Sequence, residues 1–481
     1  SPQVYRNYAQ TSKVHLEMAR GEVEHIQLVF PSKVNEEYRF TFDRYLKGIQ
    51  ISARELKKMN GYYDALVPFK NQLKCTDTLT AVWITVQCPS RVPVGKYHQT
   101  IKIEGSKHFT IQLDYNVHHT TIPLKSSIPI TVGVENRCMT ECLNDKEADK
   151  ERQRWVDFVL SYRMTPVFGT QITPERWQYE HSFSPWAWND KRSIRLLNDR
   201  RYSCYMLPFF TLSENELASL LCNIQKKGKL KESLFYIWDE PAYMEDYEQI
   251  KRKVNIIRKY ASDARILTTF FCGPRNGPRK GDLYAVFDYL KHHIHVATIS
   301  LAPCKGNEEE VQHIRYKVPE GIDWWSYVCW QPGGNEPNFL LQMKGIQQRA
   351  IMWRTWKNGS QGFLYWNCNI YHKRNPFTYI TDMPHGDGIL IYPGDILGCK
   401  GPIASARLER WRDGAEEMEL LRLVEKNYSK EKADTLLNIV YSSPLSFIEK
   451  AHNIPFFRKE LLDQLDKTIP IDYKLRITDF I

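Results

Sequence analysis

The sequence predicts two domains of different class, an all-β sandwich over residues 1–124 and a (β/α)8 barrel with C-terminal helices over residues 125–481. Three observations support this α/β plus all-β division. The chain has 481 residues, which is more than one ordinary hydrophobic core accommodates. Its first quarter alternates apolar and polar residues with the period of half-buried strands. From residue 128 onward, short apolar runs are separated by helical patterns, as in a barrel.

The N-terminal quarter contains five segments with a two-residue alternation, separated by turns that contain glycine and proline. They are residues 25–30, 38–42, 81–86, 99–103 and 110–115. Short strands joined by such turns are typical of a sandwich. None of these segments gathers side chains that commonly catalyse reactions. Residues 121–127 have the composition of a linker, so the chemistry is expected beyond it.

Eight short apolar runs follow, with the number and spacing of barrel strands. They cover residues 128–135, 165–171, 204–210, 233–239, 265–271, 296–303, 323–330 and 362–369. Helical patterns are predicted at 146–161, 214–227 and 338–357, a long loop at 177–189, and helices packed on the barrel at 415–426 and 431–439. A doubly wound parallel sheet is the alternative, but no glycine-rich phosphate loop follows any of these runs.

Composition excludes several classes of function. The net charge of +10 is diffuse, and no basic stripe with interleaved aromatic residues indicates a nucleic-acid partner. No apolar run reaches the roughly 18 residues that span a bilayer. The eleven cysteines form no CxxC pair, and the histidines at 292, 293 and 295 precede a strand, so neither a metal site nor a cofactor is predicted. Because the chain starts at Ser1 instead of methionine, a removed leader and a secreted or cell-envelope (periplasmic) location are expected.

Two adjacent carboxylates end the fourth predicted barrel strand. The apolar run 234–238 leads into Asp239 and Glu240, and Pro241 then prevents the strand from continuing. Neighbouring like charges resist joint ionisation, which makes such a pair costly unless it is used. The alternative is structural, since acidic residues and proline also begin helices. This stretch alone leaves both interpretations open.

Polar and aromatic side chains lie at the ends of the other predicted strands, where barrels place their active sites. The predicted substrate-binding residues are Gln171, Trp238, Tyr327, Tyr365, Trp366 and Asn369. Aromatic and amide side chains around a carboxylate pair are the lining expected of a sugar pocket. Each of these residues taken singly also suits a core or rim position, so their convergence on one face is the basis of the prediction.

The seventh predicted strand carries no carboxylate at its end, which restricts the chemistry. An ordinary retaining glycosidase needs a carboxylate nucleophile besides its acid, yet residues 327–331 contain none and Asp323 lies at the opposite end. The attack could come from the substrate's own 2-acetamido oxygen, or from a less obvious nucleophile such as Asp382 or Asp387. Because consecutive strand residues point to opposite faces, the backbone must also kink at 239–240 for both carboxylates to reach one pocket.

Several motifs are similar to those of one enzyme family. They are Trp-Asp-Glu-Pro at 238–241, Gly-Phe-Leu-Tyr-Trp at 362–366, Gly-Asp-Gly at 386–388, Tyr-Pro-Gly at 392–394, Gly-Pro at 401–402, Ser-x-Arg-Leu-x-x-Trp-Arg-Asp-Gly at 405–414, and Ala-Arg-Gly-Glu at 19–22 with Gln27. Over both domains the chain resembles glycoside hydrolase family 123 and its bacterial relatives. The resemblance implies a β-N-acetylgalactosaminidase with a β-sandwich before a (β/α)8 barrel. It also implies substrate assistance, with Asp239 orienting the amide and Glu240 as general acid/base, as in family 20 hexosaminidases.

The expected activity is therefore exo-acting, retaining removal of terminal β-linked N-acetylhexosamine, with N-acetylgalactosamine preferred, from a glycan or glycoconjugate. Two alternatives remain: a glycosidase for sugars without an acetamido group, using an undetected nucleophile, and a glycan-binding relative that has lost catalysis. For the N-acetylhexosaminidase we expect Tyr327 to hydrogen-bond the acetamido oxygen together with Asp239. Trp366 would then form an apolar wall for the sugar.

Overall fold

The computed structural model describes residues 13–42, 48–173, 178–376 and 384–468. Two compact units are present. The first comprises residues 1–123, 416–440 and 450–481, and the second comprises residues 124–415 and 441–449. In the described part of the chain, no helix combines the length and the apolar character that crossing a membrane requires.

The first unit is built from two β-sheets. Its strands are β1 (Lys13–Arg20), β2 (Glu22–Pro31), β3 (Glu37–Phe42), β4 (Gln50–Met59), β5 (Tyr62–Pro68), β6 (Gln72–Lys74), β7 (Leu79–Cys88), β8 (Gly95–Glu104) and β9 (His108–Thr121). One sheet has the order β1-β9-β8-β3-β6 and the other β2-β7-β4-β5. Side chains from both sheets form one hydrophobic core, which includes Ile26, Val82, Ile101 and Leu113. The β-rich character predicted for this region is confirmed.

The second unit is organised around a nine-stranded sheet. Its strands are β10 (Ile130–Glu135), β11 (Thr165–Thr173), β12 (Gln178–Ser182), β13 (Tyr205–Met206), β14 (Ser233–Trp238), β15 (Arg265–Phe270), β16 (Val296–Ser300), β17 (Asp323–Val328) and β18 (Phe363–Tyr365). The order is β12-β11-β10-β18-β17-β16-β15-β14-β13. All pairs are parallel except β11 with β12. The Phe183 N–H donates to the Met206 carbonyl at 2.6 Å, so the two edges approach each other and the sheet is nearly closed.

Helices follow the strands along the chain, which confirms the mixed α/β class. They are α1 (Asn136–Thr140), α2 (Asp145–Ser161), α3 (Lys191–Leu196), α4 (Glu214–Lys226), α5 (Met244–Arg258), α6 (Ala285–Leu290), α7 (Glu308–Lys317), α8 (Gly345–Lys357), α9 (Ala406–Asn427), α10 (Lys430–Leu437) and α11 (Ile454–Asp466). A small antiparallel pair, β19 (Ile391–Pro393) with β20 (Pro402–Ala404), precedes α9. All eight predicted barrel strands are present.

The ninth strand, β12, departs from the predicted (β/α)8 pattern, because residues 177–189 were expected to form a loop. Its polar sequence pairs with β11 and is anchored on its other side by a carboxylate. The Glu180 side chain accepts hydrogen bonds from the Phe209 N–H at 2.8 Å and from the Thr211 N–H at 2.7 Å. These bonds satisfy backbone donors beyond β13 and hold β12 between β11 and β13.

Two predicted barrel strands are shorter than expected, and one predicted helix begins late. The run 362–369 keeps only Phe363–Tyr365 as strand. Beyond it the Asn367 side chain accepts from the Asn369 N–H at 2.9 Å, a local bond that competes with a sheet ladder. The run 204–210 keeps only Tyr205–Met206. Helix α8 begins at Gly345 because the Asn338 amide instead donates to the Cys329 and Pro332 carbonyls, both at 2.8 Å.

The last helix, α11, belongs to the first unit, as do residues 416–440, where the sequence analysis predicted helices packed on the barrel. Helix α11 contributes Arg458, which is buried and forms ion pairs with Glu22 and Glu24 at 2.8 Å. Glu417 lies 3.4 Å from the same guanidinium. Three carboxylates around one buried cation hold this helix to β2 and to the middle of α9.

Candidate active site

A pocket opens among the parallel strands β10, β11, β14 and β18 and the antiparallel strand β12. Its lining consists of Thr131, Gly133, Val134, Val167, Gly169, Tyr179, His181, Tyr236, Asp239, Leu364, Tyr365, Trp366 and Asn367. Gly133 permits the closure of the wall, because a Cβ there would lie 1.9 Å from the Trp366 carbonyl oxygen.

The backbone after β14 departs from regular strand geometry at the Asp-Glu pair, and Asp239 lines the pocket whereas Glu240 does not. The register of β14 on β15 shifts between Tyr236 and Trp238, as in a β-bulge. Glu240 then adopts a left-handed conformation, with φ of 42°. That conformation is uncommon for a residue with a side chain and is found where the surrounding structure enforces it. The kink that the sequence analysis required is therefore present.

Asp239 is held on one side only. Its Oδ1 accepts a hydrogen bond from the Tyr236 hydroxyl at 2.7 Å and another from the Thr269 hydroxyl at 2.8 Å. Among the described residues, no donor reaches its Oδ2. The carboxylate is thus oriented by two buried hydroxyls while one oxygen stays available to a ligand in the pocket.

Glu240 is exposed beside Asp239, does not line the pocket and is bonded to one buried phenol. The Tyr327 hydroxyl, on a residue only 3% exposed, donates to its Oε1. Removal of water by the surrounding protein and repulsion from Asp239 raise the pKa of Glu240 to about 7. The Tyr327 hydrogen bond and Arg275 act in the opposite direction. A carboxyl with this pKa exchanges its proton near neutral pH, which general acid/base chemistry requires.

Trp366 forms one wall of the pocket and is fixed from behind. Its indole Nε1 donates to Asp387 Oδ1 at 3.0 Å, and the Tyr365 hydroxyl donates to the same oxygen at 2.9 Å. Asp387 is 0% exposed, and burial raises its pKa to about 6. Gly388 packs on the indole so closely that a Cβ there would lie 2.5 Å from the ring. The orientation of this wall is therefore determined by residues that do not line the pocket.

The comparisons with known proteins agree with this site. The family profile described as glycoside hydrolase 123, catalytic domain, matches residues 150–424, more than half of the chain. The chain belongs to glycoside hydrolase family 123. It is therefore a glycoside hydrolase by family, and the matched segment includes both Asp239 and Glu240. No curated protein shows a significant match to the chain.

Solved structures support the fold of this family 123 member. A family 123 glycoside hydrolase from Clostridium perfringens, whose structural analysis addressed glycolipid glycan hydrolysis, is 13% identical with a TM-score of 0.66. The alignment covers 100% of this chain and 97% of that one. A family 2 β-galacturonidase from Eisenbergiella tayi is 9% identical, with a TM-score of 0.35 and coverage of 83% and 90%. That second likeness is too weak to support an argument.

Of the other predicted site residues in this family 123 member, Tyr365 lines the pocket, and Asn369, Gln171 and Trp238 do not. Asn369 is buried outside the pocket lining, and its amide bonds the Glu135 backbone through both its oxygen, at 2.8 Å, and its nitrogen, at 3.1 Å. Gln171 is exposed on β11 and Trp238 faces Lys253 of α5, 5.5 Å from its ring, so neither lines the pocket. Tyr365 is buried and contributes to the lining.

Two pocket residues were missed because they lie on β12, which was expected to be a loop. Tyr179 and His181 alternate with Glu180, so both face the pocket while Glu180 faces away. The His181 ring stacks on Tyr236, with centroids 4.2 Å apart and planes 9° from parallel. Burial lowers the pKa of His181 to about 3, so its imidazole is neutral. The Tyr-Glu-His alternation was the available signal, but without apolar residues it does not indicate a strand.

Proposed function

We propose that this family 123 hydrolase is an exo-acting, retaining enzyme that removes terminal β-linked N-acetylhexosamine from glycans by substrate-assisted catalysis. The observation that carries the proposal is the unequal environment of the two adjacent carboxylates. Asp239 is oriented by two hydroxyls and presents one open oxygen to the pocket. Glu240 has a pKa near 7. Paired titratable groups whose environments differ in this way divide the acid and charge-stabilising roles between them.

Asp239 has the geometry to assist an acetamido group. When the acetamido oxygen attacks the anomeric carbon, positive charge develops on the nitrogen of the oxazolinium ion. The open Oδ2 of Asp239 would accept the hydrogen bond from that nitrogen and stabilise the charge. Because Oδ1 is already bonded to Tyr236 and Thr269, the carboxylate is preorganised and does not have to rotate during the reaction.

Glu240 supplies the proton for the leaving group and later removes one from water. The acid must carry its proton when the substrate arrives, and a pKa raised to about 7 allows this at neutral pH. Tyr327 was expected to contact the acetamido group with Asp239, but here its hydroxyl donates to Glu240. We infer that it orients the acid, and its contact with the sugar stays a prediction.

The pocket walls suit a sugar ring. Trp366, Tyr179 and His181 provide flat surfaces with few charges, which favours stacking on a sugar or its acetamido methyl group. The preference for N-acetylgalactosamine over N-acetylglucosamine rests on the resemblance to family 123.

The arrangement around Asp387 argues against a hidden nucleophile at that position. Its Oδ1 is bonded to Trp366 and Tyr365, and the residue lies behind the pocket lining with no exposed surface. The other candidate, Asp382, lies outside the described residues. Among the residues that the structure describes, Asp239 is the one carboxylate in the lining.

The variant Asp387→Asn tests whether Asp387 is a nucleophile or only a hydrogen-bond acceptor that supports Trp366 and Tyr365. An asparagine oxygen can still accept from the indole and the phenol, so we expect kcat/KM to fall by less than roughly tenfold, the value of about one hydrogen bond. A nucleophile would lose nearly all activity in the same variant. Asp387→Leu, which removes the acceptor, should displace Trp366 and raise KM. Loss of turnover in Asp387→Asn, with accumulation of no glycosyl-enzyme, would contradict the substrate-assisted mechanism.

A panel of nitrophenyl glycosides tests the proposed function directly. We expect nitrophenol release from β-N-acetylgalactosaminide, weaker release from β-N-acetylglucosaminide, and almost none from β-galactoside or β-glucoside. Release from the plain glycosides would support a nucleophile on the protein. Binding of N-acetylgalactosamine without release from any substrate would support the glycan-binding alternative.

The pH dependence of kcat/KM should show the titration of Glu240. Because its pKa is raised to about 7, the protonated form required of the acid is present below pH 7 and lost as the pH rises through 7. We expect an alkaline limb with an apparent pKa near 7 for a substrate with a poor leaving group. The limb should disappear in Glu240→Gln. An alkaline limb centred near pH 4.5 would show that Glu240 is not shifted.

A further inference from the structure

Thr269 of β15 contacts both residues of the carboxylate pair. It is 2% exposed, and alternation along β15 places it on the barrel interior with Leu267. Its hydroxyl donates to Asp239 Oδ1 at 2.8 Å and accepts from the Glu240 backbone N–H at 3.0 Å. The Tyr236 hydroxyl lies 3.1 Å from the same oxygen.

The contacts to Asp239 and Glu240 use the proton and one lone pair of this hydroxyl group. A threonine hydroxyl has a single proton and two lone pairs. The Glu240 N–H occupies one lone pair, so the proton remains for the Asp239 carboxylate. The bond to Asp239 and the bond to Glu240 are therefore made by the same atom.

The bond to the Glu240 backbone acts where the chain is strained. Glu240 has φ of 42°, a conformation that persists only when neighbouring groups enforce it. The N–H that points to Thr269 belongs to this residue, so the hydroxyl of β15 helps to keep the backbone in its left-handed turn. Without that acceptor, a buried donor would be left without its partner, and a rotation of the peptide would move the Glu240 side chain.

We propose that Thr269 is a positioning residue that fixes Asp239 and Glu240 relative to each other. The inference rests on the proposed function, because the proposed function assigns the two carboxylates their distinct roles. It goes beyond that function by placing the control of both roles in one side chain on the neighbouring strand. It also predicts that the amide-orienting and proton-donating functions are lost together when this hydroxyl is removed.

The test compares Thr269→Val with a matched control on the same strand. Valine has nearly the shape of threonine without its hydroxyl. Thr268 is 0% exposed, and its hydroxyl has no hydrogen-bond partner among the described residues, so Thr268→Val changes the same atoms away from the site. Thr269→Ser retains the hydroxyl. If Thr269→Val does not fold, Thr269→Ala takes its place, because a smaller side chain cannot clash.

We expect Thr269→Val to lower kcat on aryl N-acetyl-β-hexosaminides by roughly 10²-fold, the cost of misplacing catalytic groups by about 1 Å. KM should change much less, since the pocket walls are unaltered. Thr269→Ser should recover most of the loss, and Thr268→Val should match the parent protein. The loss should be larger for poor leaving groups, because Glu240 is displaced. Turnover of Thr269→Val equal to that of Thr268→Val would overturn the inference.

A crystal structure of Thr269→Val separates this inference from the proposed function. We expect Glu240 to leave the left-handed conformation or the Asp239 carboxylate to rotate, whatever substrate the enzyme uses. If Asp239 and Glu240 keep their positions in that structure, the positioning role is overturned. A parent protein inactive on every acetamido glycoside, with the carboxylates displaced in Thr269→Val, would contradict the proposed function and leave the positioning role supported.

Discussion

Glu240→Gln is expected to lower kcat/KM for N-acetyl-β-hexosaminides with poor leaving groups by roughly 10²- to 10⁴-fold, the usual contribution of a general acid. The amide keeps the size of the side chain and can still accept from Tyr327, so the fold should be retained. Substrates with very acidic phenols need little protonation and should be affected less in the step that releases them. The measurement is kcat/KM against leaving-group pKa for both proteins.

Glu135→Gln is a suitable control for this experiment. Glu135 also ends a barrel strand, and burial raises its pKa to about 7, yet its side chain is buried, whereas that of Glu240 is exposed. Its side chain accepts from the Arg137 N–H at 3.3 Å, a bond that glutamine can also make. This variant should leave the leaving-group dependence unchanged. If Glu240→Gln instead slowed all leaving groups equally by only a few-fold, the acid role would be wrong.

The location of the carboxylate pair could be predicted because it depends on local sequence. An apolar run predicts a buried strand, proline after Glu240 predicts its end, and a parallel barrel gathers strand ends on one face. The same reasoning predicted the position of Trp366 at the end of β18, and that residue does line the pocket. The need for a kink also followed from strand geometry. The shift of register and the left-handed Glu240 that produce it depend on β15, so they could not be predicted from β14 alone.

The residues that the sequence analysis misjudged are those whose environment is set by distant segments. Strand β12 has little intrinsic strand character and forms because Glu180 binds backbone groups about thirty residues away. Asn369 has a side chain typical of a sugar site, but its amide is hydrogen-bonded to the backbone of Glu135, 234 residues earlier. Thr269 gives no sequence signal, since one buried threonine resembles any other. In each case tertiary contacts decide the role, and the local pattern does not contain them.

Asp239→Asn should reduce turnover by roughly 10²-fold or more, with little change in stability. Asparagine Oδ1 can still accept from Tyr236 and Thr269, so the side chain should keep its orientation. Its Nδ2 then replaces the open Oδ2 and presents a donor to the acetamido N–H, which is also a donor. The variant therefore loses the negative charge and the acceptor at the one atom that the oxazolinium nitrogen would contact. Asp387→Asn, which changes a buried aspartate outside the pocket lining, is the matched control.

Inhibition by a thiazoline analogue of the oxazoline provides a second measurement on the same variants. Species that resemble the transition state bind far more tightly than substrates do, so the parent protein should be inhibited strongly. Asp239→Asn should bind the thiazoline poorly, because its Nδ2 cannot accept the proton on the ring nitrogen. Glu240→Gln should still bind it, since the leaving group is absent from the analogue. Equal affinity of Asp239→Asn and the parent protein, or efficient hydrolysis of a glycoside with a 2-hydroxyl, would contradict substrate assistance and favour a nucleophile on the protein.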